Sequence, residues 1–226
     1  MKTPFKIEGI QTRTFSSAVE LRKTPDAQEQ GRTVFGYAAL FNSRSQNLGS
    51  QSYQFYETIA PGAFDDVLND DVRALFNHEA ELILARSKNG VGTLKIGVDA
   101  TGLWYEFEAP DTQVGNDLLV SLRRGDIDQS SFSFMVDDSG QSFVESKIGD
   151  GPTVIERTIT KFSRLLDVSP VTYPAYEDTE VDCRSLAAVV EKNLPKPSPE
   201  VPENSNGEDP ETGYRAAFLG MPYAKP

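Results

Sequence analysis

From about Thr14 to Tyr176 the chain is organised as short runs in which apolar and polar residues alternate, the period of two that belongs to strands. Thr33–Phe41 predicts a buried strand, with Gly36 at a point where neighbours approach closely. Asn42–Gln51 is polar and reads as a loop, and Ser52–Ala60 is aromatic and β-prone. Pro61-Gly62-Ala63-Phe64 predicts a short helix ending near Asn69, since proline suits a first helical position. Val72–His78 reads as a strand whose residues Val72, Ala74, Phe76 and His78 share one face. Gly92–Val98 and Leu103–Glu108 form the arms of a hairpin around a turn at Asp99–Gly102. Thr112–Arg124 predicts a helix: Val114, Leu118, Leu119 and Leu122 share a face, Arg123 and Arg124 suit its C-terminal end, and Gly125 stops it. A serine-rich strand, Gln129–Val136, comes next, then a polar hairpin around Asp137–Gly140 and Gly149–Gly151. Val154–Val171 continues the β pattern, and Asp182–Asn193 predicts a last helix.

The flanks differ from this body. Residues 1–13 carry no clear period and are expected to be a loose arm, leaving 14–193 as one domain. Residues 194–226 mix Pro, Ser, Asn, Glu and Gly, a composition that buries too little apolar surface to offset chain entropy, so a disordered tail is expected. The apolar Tyr214–Met221 within it reads as a docking motif or merely a sticky end.

Composition narrows the function classes. Net charge is −12, from 34 acidic and 22 basic residues, which argues against a nucleic-acid partner needing Lys/Arg stripes. No apolar run reaches the roughly 20 residues that span a bilayer, and the N-terminus lacks a signal peptide's apolar region, so an intracellular protein without a membrane partner is expected. The single Cys183 excludes an internal disulfide framework. With one cysteine and one histidine the usual nitrogen and sulfur ligands of zinc are lacking, so no metal and no cofactor is expected.

His78 is the only histidine, so any proton shuttling by imidazole passes through it. If Gln129–Val136 is extended, Phe132 and Phe134 point one way, into a core, and Ser131 and Ser133 point the other. A histidine can take the proton of a serine hydroxyl while a carboxylate orients the ring. Taken alone, however, a histidine at a strand end and serines alternating with phenylalanines more often mark structural residues.

An ordered series of motifs changes that balance. It runs through Phe35-Gly36-Tyr37-Ala38-Ala39-Leu40-Phe41-Asn42, Glu57-Thr58-Ile59-Ala60-Pro61-Gly62-Ala63-Phe64 and Val72-Arg73-Ala74-Leu75-Phe76-Asn77-His78-Glu79. Gly92-Thr93-Leu94 and Gly102-Leu103 follow, then Arg124-Gly125-Asp126-Ile127-Asp128-Gln129-Ser130-Ser131-Phe132-Ser133-Phe134 and Leu166–Tyr176. In this order and spacing, over roughly residues 33–181, the chain resembles the prohead maturation proteases of tailed bacteriophages. These are serine proteases with a core similar to the herpesvirus assemblins.

The resemblance implies an α+β fold, a β-barrel core with a few flanking helices, assemblin-like, followed by the disordered tail. Carried over residue by residue, it implies His78 as the base, Ser131 as the nucleophile and Asp167 as the acid. Glu79 ranks second as the acid, because in a strand it would face away from His78. The family commonly has glycine where this chain has Ser133, which adds a second hydroxyl beside Ser131. Arg86, Arg164 or backbone N–H groups are candidates for the oxyanion hole. The implied partners are the major capsid protein or its scaffold segment and the chain itself through autocleavage, with a homo-oligomer also among them. The implied place is the procapsid in the host cytoplasm. Activity should fall in acid as the imidazole protonates.

Three other readings compete. Asp138-Ser139-Gly140 matches the aspartic-protease triplet, but one copy would require a homodimer, and Asp-Ser-Gly is also a common turn. A catalytically inert capsid-assembly scaffold or chaperone of the same fold is the non-enzymatic alternative, and a Cys183–His78 thiol protease is disfavoured because Cys183 lies in the last predicted helix.

Overall fold

A computed structural model describes residues 7, 9–15, 19–22, 31–50, 53–147, 149 and 151–172. The predicted helix at Asp182–Asn193, Cys183 and the tail lie outside these residues. In chain order the strands are β1 (Gln11–Phe15), β2 (Glu20–Arg22), β3 (Thr33–Leu40), β4 (Tyr53–Ile59), β5 (Val72–Phe76), β6 (Glu79–Lys88) and β7 (Val91–Gly92). They continue with β8 (Leu94–Val98), β9 (Gly102–Glu108), β10 (Gln129–Met135), β11 (Gln141–Lys147), β12 (Thr153–Ile159) and β13 (Arg164–Val171), and α1 (Gln113–Arg124) precedes β10.

The strands form three sheets: β1-β10-β13-β5-β6-β7, β11-β12-β4 and β2-β3-β9-β8. The described residues are therefore mostly β with one α-helix, and no sheet closes into a barrel. The barrel expectation is corrected on this point. Alternation shows which face of a strand is buried but not whether the first and last strands pair, and closure depends on that pairing.

The expected few helices reduce to α1 among the described residues. Thr112 caps it by accepting from Gly115 N at 3.3 Å, and Gly125 ends it in the left-handed region at φ 74°. The segment after Pro61 is instead a succession of turns, with Ala63, Asp65, Val67 and Asp70 each donating to the carbonyl three residues back. Gly62 at φ 84° prevents helical nucleation there, while Ala63, Phe64 and Val67 still reach the core. A further difference is β1, which begins at Gln11, inside the stretch expected to be a loose arm. Its strand character comes from pairing with β10, from Gln11 opposite Phe134 to Phe15 opposite Ser130, and not from an apolar pattern of its own. Strand β6 has no counterpart in the alternation, because Glu79–Glu81 at its start are exposed and the adjacent Leu84 and Ala85 are both buried; bulges between Ala74 and Phe76 also shift its register against β5.

On β10 the Phe-x-Phe spacing puts two rings into the core. Phe132 and Phe134 stack at 4.8 Å, and Phe64 stacks on Phe162 at 4.3 Å beside them. All four are 0% exposed. At about 25 cal/mol per Å² of buried apolar surface, such rings are worth roughly 2–3 kcal/mol each, which fixes the register of β10. Gly36 lies where close approach was expected: a Cβ there would sit 2.9 Å from Tyr105 Oη and 3.0 Å from Ser130 Oγ.

Candidate active site

The face of β10 opposite the rings carries Ser131 and Ser133. Cross-strand pairing extends this face to Ser169 and Asp167 on β13, and to Thr14 and Thr12 on β1. Directly opposed residues share a face, so small polar side chains from three adjacent strands form one patch.

His78 reaches this patch from a hairpin tip. The expectation that it ends the strand Val72–His78 is corrected: β5 stops at Phe76, and Asn77 and His78 form a two-residue turn before β6. Their φ values of 55° and 61° are both positive, as a type I′ hairpin turn requires. Asparagine and histidine enter this region more readily than most residues. Asn77 then pins the tip to the end of β13. Its N–H donates to Pro170 O at 3.1 Å, its Nδ2 to Thr172 Oγ1 at 3.1 Å, and its Oδ1 accepts from Thr172 N at 2.8 Å.

The three predicted residues meet there. His78 Nδ1 lies 2.6 Å from Asp167 Oδ1, and His78 Nε2 lies 2.6 Å from Ser131 Oγ. A carboxylate oxygen is an acceptor only, so Nδ1 must carry the proton that faces it. Nε2 is then left with its lone pair toward Ser131, the tautomer a general base needs. Ser133 Oγ lies 3.2 Å from Nδ1, on the side of the ring that already donates to Asp167. The two hydroxyls are thereby distinguished, since only Ser131 faces the basic nitrogen.

The surroundings hold these groups in place. Ser169 Oγ donates to Asp167 Oδ1 at 2.8 Å, and Thr12 Oγ1 lies 3.2 Å from Ser133 Oγ. Arg13 O offers Ser131 a second acceptor at 3.0 Å. Ser131 is 0% exposed, while the His78 and Asp167 side chains are 24% and 10% exposed. On the core side of the same strand, Ser130 Oγ lies 2.8 Å from Tyr105 Oη. Burial, only partly countered by that bond, raises the Tyr105 phenol well above its usual range, so it stays neutral.

The remaining candidates lie elsewhere. Glu79 is exposed at the start of β6. Arg86 donates from Nε and Nη2 to the two Asp71 oxygens, each at 2.6 Å, and Arg164 Nε lies 3.8 Å from Asp70. Asp138–Gly140 forms a 3-10 turn between β10 and β11, the turn reading of that triplet. Among the described residues no group of three or more His, Cys, Asp or Glu side chains could hold a metal, and no helix is long and apolar enough to cross a membrane. Ser169, Thr12 and the Arg13 carbonyl were not found from the sequence. Ser169 carried a usable signal, two residues beyond Asp167 on the same strand face; the strand that holds the other two carried none.

The chain matches the sequence profile of the family described as Caudovirus prohead serine protease over residues 17–192. No curated protein matches it. Among solved structures, the capsid assembly protease gp21 of bacteriophage T4 aligns at a TM-score of 0.39 and 10% identity, covering 73% of this chain and 98% of that one.

Proposed function

The chain belongs to the caudovirus prohead serine protease family, and from that membership and the site geometry we propose that it is a serine endopeptidase acting in procapsid maturation. The observation that carries the reading is the hydrogen-bonded series from Asp167 through His78 to Ser131, with 2.6 Å at each end of the imidazole. In the proposed reaction Ser131 Oγ bonds to the substrate carbonyl carbon as its proton passes to His78 Nε2. The carbonyl π pair moves onto oxygen, then returns as the C–N bond breaks, and the leaving amine takes the proton from Nε2. Water repeats the sequence on the ester, releasing the carboxylic acid and restoring Ser131. Asp167 accepts from Nδ1–H throughout and stabilises the imidazolium.

The proposed substrates are scaffold or coat-precursor segments and the chain itself, within the procapsid in the host cytoplasm. The protease domain is placed at residues 14–193, extended at its start to take in β1, with 194–226 as a tail open to self-cleavage. Full burial of Ser131 requires the structure above it to open before a peptide carbonyl can reach Oγ. The test is intact-mass spectrometry of wild type and Ser131→Ala, each incubated near pH 8 with the capsid precursor. Cleavage in wild type alone supports proteolysis through Ser131. Precursor that remains uncut yet still assembles only when either protein is added favours the scaffold reading.

A further inference from the structure

Asp167 can orient His78 only if its own carboxylate is held still. A strand aspartate turns about its side-chain bonds unless donors fix its oxygens. Both hydrogen bonds that the Asp167 side chain accepts among the described residues end on Oδ1, from His78 Nδ1 at 2.6 Å and from Ser169 Oγ at 2.8 Å. Neither donor is a backbone N–H, so the strand itself does not supply the anchor.

Of the two donors, His78 is the group to be positioned and cannot also be the fixed point. It stands at a hairpin tip with its side chain 24% exposed. Ser169 is the opposite case. It is 0% exposed, lies within β13 and pairs across the sheet with Ser131. Being two residues beyond Asp167, it shares that residue's face of the strand. A serine hydroxyl has one proton to donate, and here it goes to Oδ1. A bond to an ionised acceptor is roughly twice as strong as one between neutral groups, and burial keeps water from replacing it. Packing alone does not account for the hydroxyl, since alanine would fill nearly the same space with no polar group to satisfy.

We propose that Ser169 is a positioning residue for the proteolytic reaction, acting through Asp167. By fixing Oδ1 it fixes the point at which His78 Nδ1–H is aimed. The imidazole is one rigid ring, so the same bond sets the line from Nε2 to Ser131 Oγ. A carboxylate free to swing would let the ring turn and carry Nε2 off the nucleophile, and a misplacement of about 1 Å can cost on the order of 10²-fold in rate. Ser169 touches neither the substrate nor the proton that moves, so its loss belongs in kcat and not in KM. The inference rests on the proteolytic reading, and its test separates the two.

Ser169→Ala should lower kcat for precursor cleavage roughly ten- to a hundredfold, with KM within about twofold of wild type. In an Asp167→Ala background the same change should alter kcat by less than about twofold, because the hydroxyl then has no carboxylate to hold. Equal losses in both backgrounds, or no loss in either, would overturn the proposal. His78 is the only histidine, so its Nδ1–H proton resonance can be identified without assignment. It should move upfield in Ser169→Ala as that bond loosens; a signal that stays in place or moves downfield would also overturn the role. Should Ser169→Ala not fold, Ser169→Cys keeps nearly the same shape with only a weak donor. It should show a several-fold loss in kcat at constant KM, and full activity there would count against Ser169. Wild type that leaves the precursor uncut defeats the proteolytic reading, while the resonance still reports whether Ser169 holds Asp167 against the ring.

Discussion

At the scale of single residues, the decisive contrast is between two serines on one strand face. Ser131 meets the lone pair of Nε2 and Ser133 meets the N–H side of the ring, so their deletions should differ. Ser133→Ala should retain precursor cleavage within a few-fold of wild type, measured as initial rate, whereas Ser131→Ala should abolish it. Asp167→Asn keeps the shape but can present an N–H to Nδ1, which favours the wrong tautomer. The expected loss in kcat is roughly 10³–10⁴-fold with little change in KM. Gly36 is constrained from the other side of β10, because a methyl group there would press on the Tyr105–Ser130 pair. Gly36→Ala should cost roughly 1–3 kcal/mol, read as a lower Tm. Ser131, His78 and Asp167 were legible because they stand inside motif blocks that keep their order. Ser169 was not singled out, although its place two residues beyond Asp167, on the same strand face, was the signal that could have found it.

At the scale of elements, the turn after β5 decides where the histidine goes. The alternation of Val72, Ala74 and Phe76 reads naturally through to His78, and nothing in apolar patterning marks the stop at Phe76. The hairpin signal is strongest as Asn-Gly, and here histidine takes the second position, so only the asparagine hinted at a turn. Asn77 is a positioning residue on this view. Asn77→Gly preserves the positive φ and removes the bridge to Thr172, so kcat should fall at least about tenfold with KM and Tm nearly unchanged. Because the chain has one histidine, its imidazole ¹⁵N resonances can be read without assignment. They should show the Nδ1–H form in wild type and a mixture of tautomers in Asn77→Gly; an unchanged spectrum and kcat would remove this role from Asn77.

The strand β1 is the other element the sequence concealed, and beside its pairing with β10 it is tied down by an ion pair. Glu57 anchors it through Arg13, and its folded-state carboxyl sits at about 2 against an ordinary 4.5. Below 4.5 the unfolded chain takes up a proton that the folded chain refuses, so stability falls as the pH drops from about 4.5 to about 2. The shift corresponds to on the order of 3 kcal/mol, present in full above that window. Urea unfolding across this range should show the decline, and Glu57→Gln should flatten it while lowering stability at neutral pH.

At the scale of the whole molecule, the described residues form three open sheets where a barrel was expected. Faces were readable from period-two patterning, and sheet partnership was not. Strand β4 pairs in parallel with β12, about a hundred residues later, and β13 in parallel with β5, and neither pairing leaves a mark in local sequence. The second of these, with Asp167 opposite Arg73, sets Asp167 beneath the hairpin that carries His78, so the site depends on the β10-β13-β5 part of the sheet and not on any one motif.

In the proposed reaction Ser131 Oγ is the atom that becomes acylated, and peptide mapping of an acid-quenched reaction with the capsid precursor tests this. The expected result is a precursor-derived acyl group on Ser131, absent in His78→Ala. An acyl group on Ser133, or wild-type cleavage rates from Ser131→Ala, would contradict it.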